Sequence, residues 1–492
     1  MRGSLQQLVD SIPGARLVGA DASFEGVSTD SRKVDAGALF VALMGETFDA
    51  HDFLDQVAAR NVAAVVVARL PEGWTLPAVV VPDTLVALGR IAHGWRAQFD
   101  IPLIGVTGSN GKTTVKEMIA CILAAAVGDD ARLATQGNLN NEIGVPLTLF
   151  RLDASHRAAV VELGMNHPGE IGRLSAIAAP TVGLVNNAQR EHQEFMHTVE
   201  AVARENGSVL ESLSDDGVAV FPGDDTYTDL WRGLAKGEVI TFGLSDSCHV
   251  RASYTSTGFG SQLHVSASFP DERRTRREPK LDEPSAAQNL DSRLRGNDGL
   301  EGAGENSFAI TLQAAGEHNV RNALAAIACA LGAGIDQAAI VRGLESFAPV
   351  GGRLQRKQAS NGATVIDDTY NANPDSMRAA IDVLAAYPAP RILVVGDMGE
   401  VGAQGKEFHE EIGAYAAARG IETVLATGEL ARHLIASGAR HYEQFDELLA
   451  ALDEKLGGNT KATVLVKGSR FMKMERVVQH LTGSTTIGKG AH

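Results

Sequence analysis

The chain has 492 residues, with 44 Lys and Arg against 60 Asp and Glu, which gives a formal net charge of −16. Its apolar share of 44% is ordinary for a protein with buried cores, and its length predicts about three domains. The excess of acidic residues argues against nucleic acid or an anionic membrane as the main partner, although a few local cations can still hold an anionic small substrate.

The three cysteines, Cys121, Cys248 and Cys329, lie far apart in the sequence. A sparse, odd set of this kind does not form a disulfide framework, which indicates a reducing compartment. The first residues lack the basic and apolar pattern of a signal peptide. The longest apolar stretches, 119–127 and 323–335, are shorter than the ~20 residues that cross a bilayer, so we interpret them as buried helices. We therefore expect a cytoplasmic protein that does not insert into membranes.

Short apolar runs alternate with helical stretches along most of the chain. The β-rich runs are 39–43, 63–68, 78–82, 101–106, 158–163, 182–187, 363–367, 391–397 and 462–468. This alternation is typical of parallel sheets that carry helices on both faces. We predict an α/β fold of three domains: a small N-terminal α/β domain over 1–98, a central P-loop-type parallel sheet over 99–316, and a C-terminal Rossmann-like α/β domain over 317–482.

Residues 270–306 differ from the rest of the chain in composition. Both charge signs, Pro, Gly and Asn dominate, and such a segment buries too little apolar surface to offset its ordering entropy. Strand-like runs at 262–269 and 307–313 flank it, so we predict a disordered insertion in a hairpin connection, with a short regulatory helix as the alternative. The tail over 483–492 is also predicted to be loose.

A phosphate-binding loop is predicted between the run at 101–106 and the helix that follows it. Its residues are Thr107, Gly108, Ser109, Asn110, Gly111, Lys112, Thr113 and Thr114. Glycines let backbone N–H groups point inward, and the helix start adds partial positive charge. Lys112 can reach the β- and γ-phosphates, and Thr113 can bind Mg²⁺. Val106 stands where the generic pattern has glycine, so the sequence indicates a variant phosphate loop; the alternative is a plain strand–helix turn.

Two further residues follow strand candidates of the same sheet. Glu162 ends the run at 158–163, and His192 follows the run at 182–187. The carboxyl ends of parallel strands face the crevice where such sheets bind ligands, and Mg²⁺ prefers hard oxygen ligands. We predict that Glu162 and His192 join Thr113 in a metal or phosphate site. A solvated acid and a surface or capping histidine are the alternatives.

Several motifs, taken in order, resemble the Mur ligase family of ATP-dependent amide-bond-forming enzymes. They are the stretches 107–114, 162–164, 187–192, 316–322, 352–353, 367–377 and 467–470. The resemblance implies three domains, of which the first binds the UDP end of a nucleotide precursor, the middle one binds ATP, and the last closes over both. The last two stretches resemble those of members that join D-alanyl-D-alanine to UDP-N-acetylmuramoyl-tripeptide.

The resemblance also implies roles for individual residues. Asn319 and Asn322 would contact the adenine, and their spacing puts both on one helix face. Asp368 would lie near the ribose, and Arg353 would meet the transferred phosphate. The implied catalytic residues are Lys112, Glu162, His192 and Arg353. The implied contacts to the UDP substrate are Ser31, Arg32, Thr47, Asn138, Asn140 and Asn141. The implied contacts to the dipeptide are Asn371, Asn373, Ser376, Lys467 and Arg470. Without the resemblance these residues would be ordinary polar loops, turn signals, helix caps or exposed ion pairs.

One position departs from the family pattern. Mur ligases usually carry, after the His192 segment, a lysine that becomes carbamylated and helps to hold a second Mg²⁺. An ungapped count from Asn187 places Asn206 there. An asparagine cannot form a carbamate, and its neutral carbonyl binds a cation more weakly than an anion does. The sequence therefore puts the carbamate-assisted second metal in doubt.

The expected activity is ATP-dependent amide ligation. ATP would phosphorylate the terminal carboxylate of UDP-N-acetylmuramoyl-tripeptide, and the amine of D-alanyl-D-alanine would attack the resulting acyl phosphate. ATP and Mg²⁺ are the expected cofactors, and a monomer without a nucleic-acid partner is expected. Three alternatives stay open: a ligase of the same family that adds another amino acid, a non-catalytic nucleotide-binding paralogue, which Asn206 motivates, and a P-loop motor or switch protein, against which the motif at 367–377 argues.

Overall fold

The structure is a computed structural model that describes residues 1–268 and 306–483. Over these residues it contains three sheets flanked by helices, together with one two-stranded ladder, which confirms the predicted three-domain α/β fold. No helix in the described residues is both long and apolar enough to cross a lipid bilayer. The predicted insertion over 270–306 and the predicted tail over 483–492 lie outside the described residues, apart from residues 306 and 483.

The first domain is built on a five-stranded sheet. Its strands and helices are β1 (Arg2–Ser4), α1 (Leu5–Ser11), β2 (Arg16–Val18), β3 (Ser23–Glu25), β4 (Val27–Ser28), β5 (Leu39–Val41), α2 (Leu54–Ala58), β6 (Ala64–Val67), β7 (Ala78–Val80) and α3 (Thr84–Arg96). The sheet has the order β2-β7-β6-β5-β4 and is parallel except at β2, and β1 pairs with β3. Strands β5 and β6 are buried at every residue, which explains their continuous apolar sequences.

The middle domain is built on a nine-stranded sheet. Its strands and helices are β8 (Leu103–Thr107), α4 (Lys112–Val127), β9 (Arg132–Ala134), α5 (Gly144–Leu149), β10 (Ala158–Glu162), α6 (Glu170–Ala178), β11 (Val182–Val185), α7 (Gln193–Met196), α8 (Val199–Glu211), β12 (Val218–Pro222), α9 (Thr228–Leu234), β13 (Glu238–Gly243), β14 (Val250–Thr257), β15 (Gly260–Ala267), β16 (Asn306–Leu312), α10 (Glu317–Gly332) and α11 (Gln337–Ser346). The order is β16-β15-β14-β13-β12-β11-β8-β10-β9. Pairing is parallel from β9 to β14 and antiparallel from β14 to β16, so the two strands predicted to flank the insertion pair with each other.

Both faces of the middle sheet are buried. Along β8, Leu103 belongs to one apolar core, and Ile104 and Val106 belong to another. This division follows from the alternation of side chains along a strand. The first core also contains Leu39 of β5, and α3 packs against α5 and α6. The first domain is therefore joined to the middle domain by a continuous apolar core.

The packing of α10 and α11 bears on the domain boundary that is predicted between 316 and 317. Helices α10 and α11 bury Val320 and Ile340 in the second core of the middle sheet, beside Ile104 of β8. Helical periodicity indicates which face of a helix is apolar but not which sheet covers that face. This core ends in sequence at Phe347, and the first strand of the last sheet begins at Gln355. We therefore propose that the C-terminal domain starts after Phe347.

The C-terminal domain is built on a six-stranded sheet. Its strands and helices are β17 (Gln355–Gln358), β18 (Thr364–Asp368), α12 (Pro374–Ala385), β19 (Arg391–Val395), α13 (Gly405–Ala418), β20 (Thr423–Thr427), β21 (Arg440–Tyr442), α14 (Phe445–Leu456), β22 (Thr463–Lys467) and α15 (Glu475–Thr482). The order is β17-β18-β22-β19-β20-β21, parallel except at the edge strand β17. Asp368 and Lys467 are register partners at the carboxyl ends of β18 and β22. Both residues therefore lie at the edge of the sheet where parallel folds bind ligands.

Candidate active site

The phosphate loop joins the end of β8 to the start of α4. Gly108 has a φ of 135° and Gly111 has a φ of 81°, both in the region that favours glycine. A Cβ atom at Gly111 would also lie 2.5 Å from the side-chain oxygen of Asn322 on α10. Any other residue at this position would therefore strain the backbone and collide with α10.

Asparagine side chains and backbone hold the N–H groups at the start of this loop. The Gly108 N–H donates to Asn206 Oδ1 at 3.0 Å. The Ser109 N–H donates to the Asn187 carbonyl at 3.2 Å, and the Asn110 N–H donates to Asn187 Oδ1 at 2.9 Å. Asn206 is 1% exposed, and its Nδ2 has no hydrogen-bond partner among the described residues. The side-chain carbonyl of Asn206, which could bind a cation only weakly, thus helps to hold the phosphate loop in shape.

Lys112 begins α4 and curls back over the loop. Its Nζ donates to the carbonyls of Gly108 at 2.5 Å and Ser109 at 3.3 Å, and it forms an ion pair with Glu191 Oε1 at 2.9 Å. The Glu191 side chain is 13% exposed, and its other oxygen has no hydrogen-bond partner among the described residues. Glu191 therefore holds the ammonium group that the sequence assigns to the nucleotide phosphates.

Thr113 and Glu162 form an oxygen-rich corner beside the loop. The Thr113 hydroxyl donates to Glu162 Oε2 at 2.8 Å, and Asn140 Nδ2 donates to Glu162 Oε1 at 2.9 Å. A hydroxyl and a buried carboxylate are hard oxygen donors, and Mg²⁺ is usually bound through one or two such groups together with substrate phosphates. This pair therefore fits Mg²⁺, and Asn140, which the sequence assigns to the UDP substrate, orients the carboxylate.

His192 lies at the interface between the middle and C-terminal domains. Its Nδ1 is 2.7 Å from Glu400 Oε2 of the C-terminal domain, and its Nε2 is 3.4 Å from Glu191 Oε1. Burial alone lowers the pKa of His192, but the two carboxylates outweigh burial and raise the pKa to about 9. At neutral pH the ring is therefore a cation, which must lose a proton before it can bind a metal. In this arrangement His192 pairs with both carboxylates, and its metal role stays a prediction.

We expect Glu400→Gln to lower the pKa of His192. Because the pKa is raised from 6.5 to about 9, the ion pair stabilises the folded chain fully below pH 6.5, and this contribution is lost as the pH rises through about 9. In Glu400→Gln, the loss of this stabilisation should begin at a lower pH. NMR titration of the His192 ring measures the shift, and Glu407→Gln on the exposed side of α13 is the matched control. An unchanged His192 titration in Glu400→Gln would contradict the pairing.

Asparagine side chains at the start of α10 lie beside the phosphate loop. Asn186 Nδ2 donates to Asn322 Oδ1 at 2.9 Å, and Asn322 Nδ2 donates to Asn319 Oδ1 at 3.2 Å. Beside them, desolvation of the half-buried His318 lowers its pKa to about 4, so this imidazole is neutral at pH 7. Neutral polar groups thus border the place that the sequence assigns to adenine.

Two arginines of the C-terminal domain lie around Tyr370. The Arg353 guanidinium is 4.0 Å from the centre of the Tyr370 ring, and that of Arg470 is 5.9 Å from it. Arg470 also lies 3.4 Å from Glu475, whereas Arg353 has no carboxylate partner among the described residues. Arg353 is therefore a stacked cation that is available to a phosphate group.

Lys467 and Asp368 form one buried ion pair. Lys467 Nζ lies 2.7 Å from Asp368 Oδ2 and donates to the Asn371 carbonyl at 2.8 Å. Asp368 Oδ1 accepts the Leu354 N–H at 3.1 Å. These bonds use two of the three donors of the ammonium group and leave one for a ligand. The sequence assigns the two residues to different ligands, but the structure makes them direct partners.

Asn373 and Ser376 shape the start of α12. Asn373 Oδ1 accepts the Ser376 N–H at 2.8 Å, and Ser376 Oγ accepts the Asn373 N–H at 3.0 Å, which is a capping box. Asn373 Nδ2 also donates to Asn110 Oδ1 at 2.8 Å, across the domain interface. Two of the five residues predicted to bind the dipeptide thus fix the helix start, and Asn373 also holds it against the phosphate loop.

A single cleft of about 910 Å³ joins these groups. The predicted residues that line it are Ser109, Asn110, Gly111, Lys112, Thr113, Thr114, Asn138, Asn140, Asn141, Glu162, His192, Asn319, Asn322, Arg353, Asp368, Asn371, Asn373, Ser376, Lys467 and Arg470. Thr107 and Gly108, at the start of the loop, do not line the cleft. Sequence reasoning missed Glu191, His318, Tyr370 and Glu400, which also line it. Glu400 follows the strand β19, so the strand-end argument applied to Glu162 could have found it.

The predicted UDP contacts of the first domain do not line this cleft. Arg32 is bonded to Asp30 by two bonds of 2.9 and 3.0 Å, and Thr47 is exposed. Ser31 is half-buried beside them. Leu85 at the start of α3 is the first-domain residue that reaches the cleft. The roles of Ser31, Arg32 and Thr47 stay predictions.

Comparison with known proteins agrees with the order of these elements. Three family models match in succession: "Mur ligase family, catalytic domain" at 23–96, "Mur ligase middle domain" at 106–330, and "Mur ligase, glutamate ligase domain" at 352–470. UDP-N-acetylmuramoyl-tripeptide–D-alanyl-D-alanine ligase of Escherichia coli K12 is 37% identical over 98% of this chain and 99% of its own length. The chain belongs to the Mur ligase family.

Other relatives of this Mur ligase give the same result. The protein of the same name from Bacillus subtilis is 33% identical over 93% of both chains. A crystal structure of MurF from Acinetobacter baumannii has a TM-score of 0.85 and 32% identity, covering 98% of this chain and 99% of that one. The similarity to these relatives therefore extends over all three domains of this Mur ligase.

Proposed function

We propose that this Mur ligase uses ATP to join D-alanyl-D-alanine to UDP-N-acetylmuramoyl-tripeptide, giving UDP-N-acetylmuramoyl-pentapeptide, ADP and phosphate. The observation that carries this proposal is the single cleft in which the phosphate loop faces Arg353, Lys467 and Arg470 of the C-terminal domain. A ligase must bring a nucleotide, a carboxylate and an amine together, and this cleft has anion-binding groups on two opposed walls. The names of the relatives supply the substrate class.

Residues of the middle domain and residues of the C-terminal domain have different roles in the proposed reaction. Lys112 would exchange Glu191 for the β- and γ-phosphates, and Arg353, which has no carboxylate partner in the described part of the chain, would stabilise charge on the transferred phosphoryl group. The terminal carboxylate of the tripeptide takes that phosphoryl group, so its oxygen becomes part of a good leaving group. The dipeptide amine attacks the acyl carbon, a C–N bond forms, the C–O bond to the phosphate group breaks, and phosphate leaves while the amine nitrogen loses a proton to solvent. The remaining donor of Lys467, with Arg470, would hold the dipeptide carboxylate.

Thr113 and Glu162 are the residues that would hold Mg²⁺. The ion would supply neutralisation of the phosphate charge during transfer. Asn206 contributes its carbonyl to the loop and not to this corner. We also propose that the enzyme works in the cytoplasm, where ATP is supplied.

A coupled assay with mass spectrometry tests the function. Purified protein, MgATP, D-alanyl-D-alanine and UDP-tripeptides that differ in the third residue should release phosphate and yield the matching pentapeptide. Single amino acids in place of the dipeptide test for a ligase that adds another amine. Phosphate release without pentapeptide, or nucleotide binding without phosphate release, would refute the proposal and favour a motor-like or non-catalytic protein.

A further inference from the structure

Arg190, in the loop after β11, forms an ion-pair network with the C-terminal domain. Its Nη2 lies 2.6 Å from Asp375 Oδ1 on α12, and its Nη1 lies 2.6 Å from Glu411 Oε2 on α13. The Arg190 N–H also donates to Asp375 Oδ2 at 2.9 Å, and the guanidinium lies 5.2 Å from the centre of the Phe408 ring. We call Arg190, Asp375 and Glu411 the interdomain clamp.

The residues on either side of Arg190 contact the phosphate loop. The Gln189 N–H donates to Ser109 Oγ at 2.9 Å, and Asn110 Nδ2 donates to Gln189 Oε1 at 2.6 Å. Glu191 pairs with Lys112 at 2.9 Å. Because backbone geometry ties neighbouring residues together, the position of Arg190 determines where these neighbours can reach.

The start of α12 contacts both the phosphate loop and the segment 189–192. Asn373 and Asp375 lie at the beginning of α12, where Asn373 bonds to Asn110 and Asp375 bonds to Arg190. His192 and Glu400, which meet at the same interface, have φ values of 49° and 58°. Such conformations are costly for residues other than glycine and persist where the surroundings hold them. Docking of the C-terminal domain therefore holds the segment 189–192 in its observed shape.

We propose that Arg190 is a positioning residue, which couples docking of the C-terminal domain to the placement of Lys112 through Glu191. The inference rests on the proposed function for its kinetic consequence. The Arg190 and Asp375 side chains are each 23% exposed, so the pair is largely shielded from water. Truncating one member leaves the other charge without its partner and favours separation of the domains.

Arg190→Ala tests the proposal, with Arg378→Ala as its matched control. Both changes remove a guanidinium from Glu411, but Arg378 belongs to the same domain as Glu411. We expect Arg190→Ala to lower kcat by about 10- to 100-fold. Arg190→Lys should fall between Arg190→Ala and the wild type, because an ammonium cannot bridge two carboxylates as the planar fork does. Arg378→Ala should stay within about twofold of the wild type.

Small-angle X-ray scattering of the ADP-bound proteins supplies a readout that is independent of turnover. Arg190→Ala should scatter as a more extended particle than the wild type, and Arg378→Ala should not. Glu411→Gln, which removes one of the two carboxylates that Arg190 contacts in the other domain, replaces Arg190→Ala if that variant does not fold. Wild-type kcat and wild-type scattering in the clamp variant would overturn the inference. If the wild type makes no pentapeptide, the proposed function fails, but the scattering comparison still decides the clamp.

Discussion

Lys112→Ala should lower kcat for pentapeptide formation by about 10²- to 10³-fold, which is typical for the loss of one preorganised charge-stabilising group. The ammonium group lies over the loop and is held by two carbonyls and Glu191, so it meets the phosphates without a large rearrangement. Phosphate release and pentapeptide yield should fall together. The measurement is steady-state kinetics with both products quantified.

A second variant separates catalysis from stability in this experiment. Lys112→Ala removes one of the two cations that contact the half-buried Glu191 carboxylate, His192 being the other, which should cost about 1–3 kcal/mol of folding stability. Lys112→Ala/Glu191→Gln should therefore regain thermal stability without regaining kcat. If the double variant also regained kcat, Lys112 would act on the fold and not on the phosphates.

Glu162→Gln should raise the Mg²⁺ concentration required for half-maximal activity by at least about 100-fold. The carboxylate supplies the formal negative charge of the Thr113–Glu162 corner, and an amide oxygen replaces it poorly. Asn140→Ala should raise the same concentration by about tenfold, because Asn140 orients the carboxylate without belonging to the pair. Mn²⁺ binding followed by electron paramagnetic resonance measures the cation site without turnover.

Glu117→Gln is the matched control for the cation site. Glu117 lies on α4, the helix that carries Thr113, but it pairs with Lys116 and does not line the cleft. Its Mg²⁺ requirement should equal that of the wild type. Equal Mg²⁺ requirements and equal Mn²⁺ binding in Glu162→Gln and Glu117→Gln would show that the cation is held elsewhere.

Much of the fold could be predicted because buried parallel strands can be recognised from their apolar sequences alone. Strands β8 and β10 are buried at every residue, and their sequences have no polar residue before the last one, so a local search finds them. The placement of α10 could not be found in this way. Its residues between Val320 and Ala330 are almost entirely apolar, and nothing in that composition distinguishes the middle sheet from the C-terminal one. Which sheet covers a helix is decided by tertiary packing.

Local sequence patterns likewise predict some residues of the candidate site and not others. The phosphate loop is a local motif, and Glu162 follows from the rule that strand ends face ligand crevices. Arg190 and Asp375 are 185 positions apart, and each alone resembles an ordinary surface charge. Asp368 and Lys467 were likewise interpreted separately, although they are neighbours across two strands. Contacts between residues of different domains, or of strands that are far apart in the sequence, cannot be predicted from local sequence spacing.

The three bonds that Asn206 and Asn187 make to the start of the phosphate loop have a consequence for nucleotide affinity. These bonds involve protein groups alone, so the loop keeps its curvature before any nucleotide arrives. Little conformational entropy is then lost in the loop on binding. The entropic cost of capturing the nucleotide falls on the relative motion of the domains, so affinity should respond more to changes at the interface than to changes in loop flexibility.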